Sequence, residues 1–161
     1  MQNIIRSVHP VVASFPQAAT SIAGDYISLK NYAGVTIVIM LDVHTGTDAG
    51  AVTLTQAVNV AGSGTTPKTL GFDYMWANLD TESGDTLTKT AVTSDTFNAG
   101  GVTKSCLYII EVKAEDLDVD NGFDCLRVNL ATTDTSNSAI LYLLHTPRYI
   151  SEDGGKSAIV D

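Results

Sequence analysis

LYIIEVKAEDLDVDNGFDCLRVNL, Leu107 to Leu130, holds two β-prone runs joined by an acidic, turn-rich link. The first run, Leu107-Tyr108-Ile109-Ile110-Glu111-Val112, is rich in branched and aromatic side chains, which fit a pleated, half-buried surface. The second run alternates: positions 123, 125, 127 and 129 read Phe, Cys, Arg and Asn, while 124, 126, 128 and 130 read Asp, Leu, Val and Leu. Successive strand residues point to opposite faces, so one face is apolar from Leu126 onward. The pattern predicts a sheet, and the stretch contains no catalytic grouping.

Outward from this stretch, the 161 residues suit one domain, a size that buries roughly 70% of the unfolded chain's surface and needs no metal or disulfide to fold. Charged residues are 17% of the chain, below the usual ~25%. The 20 threonines are the clearest excess. Threonine favours extended backbone through its branched Cβ while its hydroxyl stays wet, so exposed or assembled sheet faces are expected.

A net charge of −9 without a cluster of Lys and Arg argues against nucleic-acid binding, which needs a basic footprint. The longest apolar run, Val35-Thr36-Ile37-Val38-Ile39-Met40-Leu41, is far short of the ~20 residues of a spanning helix; it suits a buried strand, and no membrane partner is expected. Pro10 and Pro16 interrupt the early apolar residues before a signal-peptide core can form. No Asn-x-Ser/Thr sequon occurs. Cys106 and Cys125 are therefore expected as buried thiols.

Residues 1–24 show no periodicity and carry both early prolines. They are expected to form an extended arm, with residues 25–150 as the sandwich and 151–161 as a tail. The arm's Ile4, Ile5, Val8, Val11, Val12 and Phe15 are too many for a solvated linker and must lie against their own domain or a neighbour. Strands are predicted at about 26–30, 35–43, 51–60, 68–79, 86–93, 105–113, 123–131 and 138–145, separated by Gly- and Asn-containing breakers such as Gly62-Ser63-Gly64 and Asp120-Asn121-Gly122. The fold class is an all-β, antiparallel sandwich. Residues 51–61 alone are ambiguous with a helix, and Ala114 to Leu117 reads as one helical turn.

Chemical motifs are weak. Asp116-x-Asp118-x-Asp120 begins like a calcium loop, but Asn121 stands where the loop needs Gly, and Arg127 where it needs the bidentate Glu. A solvated acidic turn is the better reading, with a looser set of Asp118, Asp120 and Asp124 left open. His9, His44 and His145 lie far apart, without zinc-type spacing. No G-x-S-x-G elbow exists, and Gly62-Ser63-Gly64 lacks the Lys-Ser/Thr of a phosphate loop. No enzymatic activity, metal or cofactor is expected. Trp76, the sole tryptophan, shares an alternation face with Phe72, Tyr74 and Asn78; an aromatic core layer is the main reading and an interface anchor the alternative.

The order GDYISLKNYAGVTIVIMLD, AVTLTQAVNV, MWANLDTESGDTLTK, YIIEVKAEDLDVDNGFDCLRV and LYLLHTPRY resembles small virion proteins of tailed bacteriophages, and among them capsid decoration (cement) proteins. The likeness covers about Asp25 to Tyr149 and is one of texture, without a required signature residue. It implies a jelly-roll-like sandwich that binds the major capsid protein on the outside of the head as a dimer or trimer, after assembly in the host cytoplasm, and supplies no catalytic residue. Another virion part (tail, neck or receptor-binding knob) and a carbohydrate-binding sandwich are the alternatives.

Overall fold

The computed structural model describes residues 4–18, 21–43, 50–100, 103–131, 137–149 and 155–160. Along the chain lie a helical turn α1 (Ile4–Ser7) and the strands β1 (Val8–Ala18), β2 (Ser21–Ala23), β3 (Ile27–Ser28), β4 (Tyr32–Leu41), β5 (Ala51–Ala57), β6 (Lys68–Leu70), β7 (Tyr74–Asn78), β8 (Thr88–Ala91), β9 (Thr96–Asn98), β10 (Cys106–Lys113), β11 (Cys125–Ala131) and β12 (Asn137–Pro147). The first sheet has the order β1-β12-β4-β10-β7-β8; the second has β2-β11-β5-β6, with β3 on β11 and β9 on β5. All these pairings are antiparallel. The protein is an all-β antiparallel sandwich.

The alternation read from the sequence sets what fills it. Val35, Ile37, Ile39 and Leu41 of β4, Tyr108, Ile110 and Val112 of β10, and Ile140, Tyr142 and Leu144 of β12 turn inward from the first sheet. Val52 and Leu54 of β5 and Leu126, Val128 and Leu130 of β11 meet them from the second. Each such side chain contributes about 1.5–3 kcal/mol on full burial.

Three tyrosines fully inside this layer carry their hydroxyls to backbone groups. Tyr142 Oη accepts the Val128 N–H at 2.9 Å, a bond from the first sheet to the second. Tyr108 Oη accepts from Gly100 N at 2.7 Å, and the Tyr32 hydroxyl donates to the Lys156 carbonyl. A Cβ at Gly24 would lie 2.6 Å from the Tyr142 hydroxyl, so only glycine fits there.

Two expectations are corrected. Val8–Ala18, placed in the arm, is a strand of the sandwich: β1 pairs along β12 from Val8↔His145 to Ala18↔Asn137. Both prolines are tolerated because β1 is an edge strand, and a register shift between Val12 and Ser14 buries Ala13 and Ser14 together. The predicted strand 68–79 breaks at Gly71-Phe72-Asp73, so that β6 belongs to one sheet and β7 to the other. Within the tail, residues 155–160 dock on the sandwich: Ala158 is buried and its carbonyl accepts from Ser28 N at 2.7 Å. Residues 151–154 lie outside the described residues. The helix-ambiguous window is strand β5, and the turn at Ala114 is a 3-10 turn over Ala114–Asp116.

Replacing Tyr142 by Phe strands a buried Val128 N–H, and urea unfolding is expected to show a loss of about 1–3 kcal/mol. Burial raises the Tyr142 hydroxyl above its ordinary range and pushes Tyr108 from 10.0 up to about 12. A folded-state pKa above the unfolded one preserves stability below the unfolded value and removes it as pH rises toward the folded one. Stability should therefore hold up to about pH 10 and then fall by about 1.4 kcal/mol per pH unit for each protected tyrosine.

Candidate functional site

The two outer faces of the sandwich differ in chemistry. On the second sheet, Thr55 stands between Arg127 and Thr69, and Thr53 between Asn129 and Thr96; Asn129 Nδ2 donates to Thr55 Oγ1 at 2.8 Å. This ladder of hydroxyls and amides is at home in water, and it uses the threonine excess.

The outer face of the first sheet is apolar across its width. One row, read off the strand registers, runs Val12, Leu141, Val38, Ile109, Trp76, Lys89 over all six strands. Beside it on one side lie Ala139, Met40, Leu107 and Asn78; on the other lie Pro10, Leu143, Thr36 and Glu111. Val12 is 44% exposed and Met40 43%, while Val38, Leu107, Ile109, Leu141 and Trp76 are half-buried, touched by neighbours but uncovered. The Lys89 ammonium caps the row, 3.6 Å from the Tyr74 ring centre and 5.7 Å from that of Trp76.

The sequence candidates distribute as follows. Val12 and Trp76 fall on one row, four strands apart, and Val8 joins the same face opposite His145. Val11 instead packs against the core. Ile4 and Phe15 are 70% and 76% exposed. The side chain of Ile5 lies outside the described residues, as does His44. The core-layer reading of Trp76 is reversed: Met75 and Ala77 turn inward on β7, and Phe72 reaches the core only because the strand has broken before Tyr74. Val38, Met40, Leu107, Ile109 and Leu141 were missed. Their signal was the unbroken apolar character of VTIVIM, LYII and AILYLL, where an antiparallel strand with one wet face should alternate.

The acidic turn does structural work. Asp116 accepts from Lys113 N at 2.8 Å. Asp118 takes the Lys68 ammonium and both bonds from Asn121 Nδ2, and the Lys68 contact holds its carboxyl below the usual range. Gly122 closes the turn at φ 82°. Among the described residues, no three His, Cys, Asp or Glu side chains converge as a metal site. Cys106 faces the first sheet's interior and donates to Lys104 O at 3.3 Å, and burial pushes its thiol up; neither it nor the buried Cys125 is in a disulfide.

Several clefts open among the described residues, among them one of about 420 Å³ lined by Lys30, Glu115, Val119, Asp124 and Arg148. A second, of about 520 Å³, lined by Asp73, Tyr74, Glu111, Lys113, Asp116 and His145, adjoins the apolar rows. Its Lys113 ammonium is already engaged by Glu115 at 3.0 Å. Another of about 300 Å³ sits where the Arg127 guanidinium stacks on Tyr26 at 4.6 Å; the Tyr26 hydroxyl and Arg127 Nε there have no hydrogen-bond partner among the described residues, but both atoms are sealed from solvent.

No protein-family model matches the chain, and no curated protein matches it by sequence. A solved structure of infectious bursal disease virus Gx strain shares 8% identity over 86% of this chain with a TM-score of 0.25, and the chain spans 40% of that one. The likeness is too slight to inform fold or function. Among the described residues, no helix is long and apolar enough to cross a membrane.

The division of β4 into an inner and an uncovered outer set is directly measurable. Ile39→Ala, on the inner side, is expected to lose about 2–5 kcal/mol in urea unfolding, and Val38→Ala, one residue away, less than about 1 kcal/mol. Equal losses would mean that Val38 is already enclosed.

Proposed function

We propose that the protein is a structural virion component, a decoration protein that reinforces a tailed-phage capsid through protein contacts and performs no chemistry of its own. The observation that carries this reading is the apolar outer face of the first sheet. The largest contiguous apolar patch on a monomeric soluble protein, typically ~300–600 Å², is often a functional contact surface. The rows are broad and sheet-like, suited to another protein surface, and the concave cleft with Tyr74, Asp73, Glu111 and Asp116 lies at their edge. The likeness in sequence texture to capsid decoration proteins agrees with this and names the lattice.

The energetics fit repetition. Covering a half-exposed aliphatic side chain contributes on the order of 1 kcal/mol, so five or six of them offset only part of an association cost of ~4–15 kcal/mol. Linked or repeated sites raise the effective affinity by about 10²–10⁴ without new contacts. Ile4 and Phe15, exposed on the N-terminal edge, supply further apolar contact outside the rows.

Because β1 is a strand of the sandwich, deleting residues 2–16 would damage the fold, and point substitutions are the cleaner test. The chain is mixed with empty heads of the phage whose genome encodes it, prepared without this gene, and co-sedimented. Saturable, stoichiometric binding is expected for the native chain and for Thr69→Lys on the opposite sheet, with Ile109→Lys at least about tenfold weaker. Native protein that does not bind, or Ile109→Lys binding undiminished, would overturn the reading.

A further inference from the structure

Resting on the reading of the outer face as a contact surface, we propose that its direct occupant is a second copy of this chain. Two first sheets pack face to face about a two-fold axis, and this dimer is the unit that assembles. Charge and strand order argue for it, and area sets its strength.

The fourteen positions of the three rows, at ~4.8 Å between strands and ~6.8 Å along them, span a footprint of about 450 Å² per copy. Two copies bury about 900 Å², the size of a weak, reversible interface. The chain carries −9 overall, which works against two copies meeting at random. The three rows hold one acid, Glu111, and one base, Lys89, so this face is neutral where the chain as a whole is acidic. Like molecules can meet here without opposing their net charge across the contact.

The strand order supplies self-complementarity. An axis parallel to the strands, between β4 and β10, lays β10 of one copy over β4 of the other and β7 over β12. Ile109 then meets the second copy's Val38, and Trp76 meets its Leu141, each contact occurring twice as a closed two-fold interface requires. The arrangement is the sandwich's own packing repeated outward, two sheets about 10 Å apart with near-aligned strands. Phe15 and Ile4 stay outside the rows, one set per copy, so a dimer presents two N-terminal edges to a lattice.

Sedimentation velocity of the full chain alone, from about 1 to 100 μM, the range suited to a small, reversible interface, tests this without any capsid. The expected result is a species of about twice the 17.0 kDa chain mass at the upper concentrations. Val38→Lys should raise the dissociation constant by at least about a hundredfold and Trp76→Ser by about tenfold, with Thr69→Lys unchanged. Circular dichroism confirms the fold of each variant, and should Val38→Lys fail to fold, Trp76→Ser gives the same reading from a less central strand. A chain that sediments at 17.0 kDa throughout, or face variants that dimerise like the native chain, overturns the proposal. A monomer that still binds heads through this face refutes the dimer and leaves the decorating role standing; a dimer that ignores heads does the reverse.

Discussion

Interleaving of the two inner faces is the constraint on which the rest of this structure depends. Once Ile37, Ile39, Ile110 and Tyr142 are committed to meeting Leu54, Leu126 and Val128, the period of two obliges every neighbouring residue to point away from the core. A shift of one residue in any strand would exchange the two sets. The bond from Val128 N to Tyr142 Oη reinforces this, because it exists only when the two sheets sit in one register.

What the core leaves behind then decides what the molecule can do. On β11 and β5 the residues turned outward are Arg127, Asn129, Thr53 and Thr55, which water satisfies. On β4, β10 and β12 they are mainly Val38, Met40, Leu107, Ile109 and Leu141, which water does not, with Thr36 and Glu111 along one side. Nothing in folding a single chain requires the second set to be apolar. Here the uncommitted apolar area is spread over a sheet, beside a cleft whose polar lining is Asp73, Glu111, Lys113, Asp116 and His145. The acidic groups that looked most like a site, Asp116 and Asp118, are spent on holding the β10 to β11 connection together.

Much of the fold was legible. Seven of the eight predicted strands are matched by a strand, since alternation and branched residues report directly on a pleated surface, and the eighth, 68–79, is two strands, β6 and β7. The short β2 and β9 were not seen, because three residues carry no period. Val8–Ala18 reads as an arm because its prolines and its bulge erase alternation, and only the pairing with β12 reveals a strand. Trp76 was assigned its face by counting from Phe72 across a break that nothing local announces beyond Gly71. The outer face was visible residue by residue as apolar runs, but strand order, which no single run encodes, is what lines Val12 up with Trp76. Sequence texture pointed to a virion assembly protein; the apolar rows give that reading a surface through which to act.

Trp76 is the sole tryptophan, and it stands in the central row, so intrinsic fluorescence reports on this face without a label. Acrylamide quenching measured across a dilution series tests most directly whether the face is a surface meant to be covered by protein. The account predicts weak quenching and blue-shifted emission at high concentration, giving way to strong quenching and red-shifted emission on dilution, with Val38→Lys strongly quenched throughout. Quenching that is the same at every concentration, and the same when capsids are added, would contradict it.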